Sequence, residues 1–219
     1  MRYYILFVIT TFLSVTCVGQ DSLDNIISKD VCPCLSEAKI LTIDAMETCF
    51  QSSLERHKSI VIQYCLKVYK DTSAETGHKL GLDLVQRLSV SMIATCKPFY
   101  KLMDSLRYSK LSGLDKESIK TEIEKMNNSD TAIWNADFFS ERGVKFFQIA
   151  DLDKALSDFN HALLLDKNAF QSMYFKAWTL ERKGNYDEAI VIYQDLFQKT
   201  NKSDVNMVTE IAKRKKTGL

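Results

Sequence analysis

One sequence pattern occurs twice, without a gap, between residues 136 and 203. The two copies are 34 residues apart, and matched positions carry side chains of the same kind. The matched pairs are Gly143 with Ala177, Asp153 with Asp187, Ala155 with Ala189, Leu156 with Ile190, and Phe159 with Tyr193. Self-similarity at this period indicates stacked helical hairpins, because each hairpin buries its apolar face only against its neighbours.

The two copies resemble the tetratricopeptide repeat. The resemblance is carried by the matched positions and by the run from Gly184 to Ala189, which reads Gly, Asn, Tyr, Asp, Glu, Ala. It implies a short superhelix with a first repeat over residues 136–169 and a second over residues 170–203. In this family small residues let the paired helices approach closely. We therefore expect Gly143 to lie against the second helix of its own repeat.

The resemblance also implies a concave groove lined by the first helix of each repeat. The side chains expected there are Asp137, Ser140, Val144, Phe147, Gln148, Gln171, Tyr174, Trp178 and Glu181. The Lys and Asn pairs with which some family members hold a C-terminal carboxylate are absent, since Ser140 and Val144 stand at the matching positions. Tyr174 and Trp178 could face a partner or pack against the chain's own cover. We expect the first, because other small and aromatic positions supply the packing of the repeats.

A stack of only two repeats needs a cover at each end. Residues 204–219 supply one as a capping helix, with Val205, Val208 and Ala212 on one side. The basic run from Lys213 to Lys216 is expected in solvent at the end of that helix, where the helix dipole favours cations. At the other end, we expect the linking helix or the cysteine-bearing segment to dock against the first repeat.

Composition favours an all-α fold. The chain has 219 residues but only 7 Gly and 2 Pro, which leaves little turn chemistry for a many-stranded sheet. The formal net charge of +1 provides no global field to hold nucleic acid or anionic lipid. We therefore expect no nucleic-acid partner.

Residues 1–19 have the pattern of a secretory signal peptide. Arg2 precedes an apolar run from Ile5 to Val15, and the small residues Cys17 and Gly19 follow it. A membrane anchor is the alternative, but the run is shorter than the ~20 residues of a spanning helix. We expect export to the periplasm or the exterior, and no membrane span after cleavage.

Residues 20–108 form the predicted cysteine module. It holds Cys32, Cys34, Cys49, Cys65 and Cys96, and export permits disulfides among them. Cys32 and Cys34 flank Pro33 before a helix predicted to start at Ser36, and residues two apart rarely bridge each other. Cys65 lies on an apolar helical face and is expected to be a buried thiol. We therefore predict bridges from Cys32 and Cys34 to Cys49 and Cys96, in an order left open.

The module is similar to uncharacterised secreted bacterial modules. The similarity is carried by Cys-Pro-Cys, a later Cys, a helix containing Gly77 and Gly81, and the closing Cys-Lys-Pro-Phe; Cys65 departs from it. A thiol-redox role for the Cys-Pro-Cys pair is an alternative, although redox enzymes more commonly use Cys-x-x-Cys. A metal site is not expected, because the three His residues show no metal-binding spacing.

Residues 109–135 link the two regions through a charged helix from Leu114 to Met126, with Ile119 and Ile123 as a narrow apolar stripe. The chain shows no nucleophile with a base, no phosphate-binding Gly loop and no cofactor motif. We therefore expect a non-catalytic interaction module of the bacterial cell envelope that binds a peptide or protein through the groove. The alternative is a structural component of an envelope assembly, with the groove filled by the chain itself.

Overall fold

The computed structural model describes residues 20–131 and 134–218. Within these residues the secondary structure is helical and contains no strand, so the all-α prediction is confirmed. The predicted signal peptide, residues 1–19, lies outside the described residues. No helix in the described part is both long enough and apolar enough to cross a membrane.

The first half of the described chain consists of five helices. They are α1 (Gln20–Glu37), α2 (Ile43–Arg56), α3 (Lys58–Val68), α4 (Ala74–Thr95) and α5 (Lys97–Ser112). Leu84, Leu88, Met92 and Cys96, which the sequence places on one helical face, are all buried in a core shared by these helices. Lys97 and Pro98 begin α5, as expected for Pro in a first turn.

The start of the first core helix was predicted wrongly. Ser36 is not an N-cap: the helix α1 begins at Gln20, includes Pro33 and ends at Glu37. It forms there because Leu23, Ile27, Val31 and Leu35 repeat every four residues and are buried along one face. Pro33 lies close to the end of the helix, and Ser36 donates a hydrogen bond back to the Cys32 carbonyl (2.9 Å). The next helix, α2, is capped by Thr42.

The second half consists of six helices within the described residues. They are α6 (Lys116–Asn127), α7 (Ala136–Gln148), α8 (Leu152–Leu165), α9 (Phe170–Arg182), α10 (Tyr186–Thr200) and α11 (Ser203–Thr217). The pairs α7/α8 and α9/α10 coincide with the two sequence copies, and we call residues 136–203 the repeat region. Within the first pair, a Cβ atom at Gly143 would lie 2.6 Å from Cε1 of Phe159. The predicted close approach at Gly143 is therefore present.

Both ends of the repeat region are covered by the chain. At the N-terminal side α6 packs on α7 and buries Ile119 and Ile123. At the C-terminal side α11 packs on α10 through Val205, Val208 and Ala212. The same helix also packs on α4, and Ile211 belongs to the core of the first half. Helix α11 is thus shared by both halves of the molecule.

The basic run of α11 is not fully solvated, contrary to the prediction. Lys213 and Lys216 are exposed, but Arg214 and Lys215 are partly buried between α11 and helices of the first half. Arg214 donates to the backbone carbonyl of Ile93 in α4, and Lys215 forms an ion pair with Asp104 in α5 (2.7 Å). The prediction failed because it took α11 to cap one region, whereas α11 lies between two.

Candidate functional site

The predicted groove residues divide into a buried set and an accessible set. Phe147, Trp178 and Glu181 are buried, and Ser140 is buried where its hydroxyl meets that of Ser172 (2.5 Å). Val144, Gln148 and Tyr174 are half-buried, whereas Asp137 and Gln171 are exposed. Two depressions remain beside the accessible set: one of about 180 Å³ lined in part by Val144, Gln148 and Gln171, and one of about 300 Å³ lined in part by Gln171 and Tyr174. The chain therefore occupies the part of the concave face around Phe147, Trp178 and Glu181.

Glu181 is the centre of a buried ionic cluster. Its side chain is 0% exposed, and Arg107 of α5 binds it through two parallel hydrogen bonds of 2.9 Å each. Lys215 of α11 lies 2.9 Å from the same carboxylate, and the Tyr193 hydroxyl of α10 donates to it at 3.2 Å. Asp104 completes the cluster through its ion pair with Lys215. We call these five residues the Glu181 cluster.

The protonation states of the cluster follow from burial and from its charges. Burial lowers the pKa of Arg107 and of Lys215, but the neighbouring Glu181 and other anionic or phenolic groups more than offset this, and both are raised. Burial raises the pKa of Tyr193 well above its usual value, and the Glu181 charge adds to the rise. Both cations are thus charged and the phenol is neutral at pH 7, so the cluster holds paired charges away from water.

Trp178 is covered by α5, and the expectation that it faces a partner is wrong. Its exposed fraction is 6%. The Arg107 guanidinium lies over its ring at 4.7 Å, and the Tyr108 ring meets it edge-on at 5.9 Å. Phe147 packs on another side at 4.8 Å. Of the two alternatives, cover by the chain itself is the one present. The preference for a partner failed because it took the other small and aromatic repeat positions to supply the packing, whereas α5 of the preceding module also packs on this ring.

The disulfide prediction is confirmed, and the structure adds the order. Cys32 pairs with Cys96 and Cys34 with Cys49, with Cα atoms 5.7 Å and 5.8 Å apart. The last turn of α1 is thus linked to α2 and to the junction of α4 and α5. Cys65 is free and buried, as predicted. Burial, with a smaller contribution from Asp71, raises the pKa of its thiol, which disfavours the reactive thiolate.

The described residues do not assemble a metal site. No group of three or more His, Cys, Asp or Glu side chains in this part of the chain could hold a metal ion. The most extensive polar constellation near the predicted groove is the Glu181 cluster, whose groups bind one another. Because its groups come from both halves of the molecule and bind one another, the cluster can hold the two halves together.

A second concavity lies away from the predicted groove residues. It has a volume of about 400 Å³ and is lined by Leu163, Lys167, Met173, Lys176, Val191, Ile192, Asp195 and Lys199. Val191 is 63% exposed, and Leu164, which follows Leu163 in the last turn of α8, is 81% exposed. We call this feature the α8/α10 groove. It combines an apolar lining with three lysines and one aspartate.

The sequence did not identify the residues that cover the concave face. Arg107, Tyr108 and Asp104 lie on α5, in a segment that carries no repeat pattern. The sequence identified Tyr193 as a repeat position, but it did not identify Glu181 as the acceptor of the Tyr193 hydroxyl group. A buried acidic residue on an apolar helix, such as Glu181 beside Leu180, is a signal for a cationic partner, since charges are rarely buried unless paired. That signal does not say which cation pairs with it.

Comparison with known proteins identifies no relative of this chain: no protein-family model, no curated protein and no solved structure matches it. The resemblance of residues 136–203 to tetratricopeptide repeats therefore depends on the residues of the two copies. The contacts of the chain itself carry the functional argument.

Proposed function

We propose that this chain is a non-catalytic interaction protein exported to the bacterial cell envelope, and that its tetratricopeptide-like groove is filled by its own N-terminal module. The observation that carries the proposal is the burial of Trp178 and Glu181 beneath Arg107 and Tyr108 of α5. A peptide entering that part of the groove would have to displace a bidentate ion pair and an aromatic contact. The repeats then serve to hold the cysteine module in a fixed position.

The α8/α10 groove supports a binding role for a different surface. The accessible apolar lining consists of the exposed Val191 and the half-buried Leu163 and Ile192. An accessible apolar concavity is typical of surfaces that meet another protein. Lys199 lies 2.8 Å from Asp195, whereas Lys167 and Lys176 form no ion pair within the described residues. The charge of this rim therefore suits an acidic segment with apolar side chains along one face. We propose such a segment of a neighbouring envelope protein as the partner.

The first test concerns the covered face. Trp178→Ala should reduce the free energy of unfolding by ~3 to 5 kcal/mol, as the loss of a large buried aromatic side chain does. Val191→Ala, on the exposed surface, should change it by less than about 0.5 kcal/mol. Chemical denaturation followed by circular dichroism measures both. A Trp178→Ala variant as stable as the parent would contradict the self-filled groove.

The second test locates the partner. A photo-reactive amino acid at Val191 should cross-link one envelope protein in intact cells, at an acidic segment, whereas the same probe at Gln171 on the concave face should not. With the probe kept at Val191, Lys167→Glu with Lys176→Glu should abolish the cross-linked complex without lowering the melting temperature, because both residues line the groove. Gln198→Glu, also exposed on α10, is the matched control. Capture from Gln171 but not from Val191 would instead support the groove as the binding face.

A further inference from the structure

A separate cleft lies where the cysteine module meets the repeat region and α11. It has a volume of about 510 Å³ and is lined by Tyr100, Tyr108, Glu181, Arg182, Tyr186, Arg214, Lys215 and Gly218. Seven of these residues come from four helices, α5, α9, α10 and α11, and Gly218 directly follows α11. We call it the junction cleft. It shares one lining residue, Glu181, with the predicted groove and none with the α8/α10 groove.

The acidic groups near the junction cleft are already neutralised. Glu181 is bound by Arg107 on both oxygens, at 2.9 Å each, and by Lys215. Asp104 is paired with Lys215 at 2.7 Å. Two carboxylates are thus matched by two cations. The remaining charges of the cleft lining are the guanidinium groups of Arg182 and Arg214.

Arg182 and Arg214 are held in place without a carboxylate. One terminal guanidinium nitrogen of Arg182 donates to the Phe147 carbonyl (3.0 Å), and one of Arg214 donates to the Ile93 carbonyl. Each guanidinium also lies over a ring, Phe147 at 4.7 Å and Tyr100 at 4.8 Å. Within the described residues neither forms an ion pair, and the Nε atom of Arg214 is buried without a hydrogen-bond partner. The cleft therefore carries two positioned positive charges in excess.

The tyrosines of the cleft add hydrogen-bonding capacity. The Tyr108 hydroxyl accepts a hydrogen bond from Lys215 at 3.2 Å, so its own proton remains available for an acceptor in the cleft. Tyr100 and Tyr186 bring two further phenol groups to the lining. Fixed guanidinium groups beside phenol donors are the side chains that proteins use to bind phosphate and carboxylate groups. The volume also falls in the range of small-molecule sites, about 300 to 1,000 Å³.

We propose that the junction cleft binds a small organic anion with at least two negative charges, carried by phosphate or carboxylate groups. Arg182 and Arg214 bind these charges, and the tyrosine hydroxyls donate to the remaining oxygens. This site is independent of the proposed partner surface. Because the lining comes from both halves of the molecule, the bound anion stabilises the junction between them by mass action.

The test uses pyrophosphate as the probe for a phosphate-bearing ligand and citrate as the probe for a carboxylate-bearing ligand. Isothermal titration calorimetry and thermal melts are run on the intact protein at constant ionic strength, with chloride as the reference anion. We expect at least one probe to bind saturably at millimolar concentration and to raise the melting temperature. Binding of pyrophosphate alone identifies a phosphoryl ligand, and binding of citrate alone a carboxylate ligand. No saturable binding of either probe would overturn the proposal.

Two kinds of variant locate the site. Arg182→Gln with Arg214→Gln should weaken binding at least tenfold, because hydrogen bonds to charged groups contribute strongly to affinity. Lys67→Gln with Lys213→Gln removes two exposed charges elsewhere and should leave the affinity within about twofold, since surface charges outside the cleft are screened. Unchanged affinity in the double arginine variant would contradict the assignment.

A second variant avoids the structural role of the arginines, which also bind backbone carbonyls. Tyr186→Glu places a negative charge in the cleft, yet the first turn of α10 tolerates an acidic residue because of the helix dipole. It should weaken anion binding at least tenfold while the circular dichroism spectrum stays native, whereas Tyr186→Phe should reduce affinity far less. Equal affinities for Tyr186→Glu and Tyr186→Phe would also refute the proposed site.

Discussion

The cysteine module and the repeat region keep their helices together by different means. In the module, Cys32 and Cys34 in one turn of α1 link that helix to Cys49 and Cys96, so covalent bonds connect helices that share no repeated pattern. In the repeat region, small residues such as Gly143 sit directly against aromatic rings of the paired helix. In the repeat region the shapes of the matched side chains determine which helices pack together. In the irregular cysteine module the disulfides fix the positions of the helices.

The two regions nevertheless depend on one another. The module contributes Arg107 and Asp104 to the Glu181 cluster, and the repeat region contributes Glu181 and Tyr193. Helix α11 supplies Lys215 and packs on both regions. Within each region the helices are therefore held by cross-links or by a repeated packing pattern. The junction between the regions depends instead on buried charges from both sides that pair with one another.

The largest effect is expected from removing the charge at this junction. Glu181→Ala leaves the two buried cations Arg107 and Lys215 with Asp104 as their one remaining carboxylate in the Glu181 cluster. The unmatched buried charge should lower the free energy of unfolding by ~3 to 5 kcal/mol. Glu141→Ala, on the exposed side of α7, is the control and should cost less than about 0.5 kcal/mol. Denaturant titration measures both.

A double-mutant cycle sharpens the result. If the two regions are coupled through this pair, Arg107→Ala with Glu181→Ala should cost less than the sum of the single variants. Additive costs would show that the regions are held together elsewhere.

Reduction of the two disulfides should destabilise the cysteine module more than the repeat region. The Cys34–Cys49 bridge spans 15 residues and the Cys32–Cys96 bridge 64. By the loop-closure entropy that they remove from the unfolded chain, the two bridges contribute ~3 and ~4 kcal/mol. Limited proteolysis under reductant should therefore cut first before residue 113. Cys65→Ala keeps both bridges and should retain the parent's pattern without reductant, whereas first cuts within residues 136–203 would contradict this account.

A smaller effect should appear at the close approach within the repeats. Gly143→Ala places a Cβ atom against the fully buried Phe159 ring and should cost ~1 to 3 kcal/mol through overpacking. Gly81→Ala in α4 meets no atom within 4 Å. It should instead stabilise by roughly 0.5 to 1 kcal/mol, because Ala favours a helix more than Gly. Thermal melts that shift in the same direction for both variants would refute the packing argument.

The smallest effect is a pH dependence within the cysteine module. Asp30 accepts hydrogen bonds from His57 (3.0 Å), Arg56 (2.8 Å) and Ser53 (3.3 Å). Partial burial raises the pKa of Asp30, but the hydrogen bond from His57 and the charge of Arg56 lower it, and the net direction is down. Its stabilising contribution is therefore present above the unfolded pKa of ~3.9 and is lost as pH falls through the folded pKa.

Asp30→Asn should thus reduce stability at pH 7 by less than about 1 kcal/mol, since the group is partly exposed. The difference from the parent should begin to shrink near pH ~4, the unfolded pKa, and disappear as pH falls through the lower folded pKa of Asp30. Denaturant titrations across this range measure it, with Glu47→Gln on the exposed face of α2 as control. A difference that grows on acidification would show that the carboxylate is not stabilised by these partners.

Local patterns were sufficient to predict much of the fold. The apolar spacing of Leu84, Leu88 and Met92 predicted a buried helical face. The matched small residues predicted the close approach of Gly143 to the second helix of its repeat, where the structure places Phe159. The cysteine argument selected the correct four bridging residues because a bridge between positions two apart is strained. Each of these inferences uses geometry within a few turns of chain. The start at Ser36 was wrong because the apolar stripe that extends α1 toward the N-terminus was not recognised.

The sequence by itself determined that this protein is helical in its described part, which cysteines bridge, and where two helices must approach closely. Only the tertiary structure decided the order of the bridges and the occupant of the concave face. Arg107 and Glu181 are 74 residues apart, and nothing in their local patterns pairs them. Periodicity acts over a few residues, whereas the partner of a buried charge is set by which distant helix reaches it when the two regions pack.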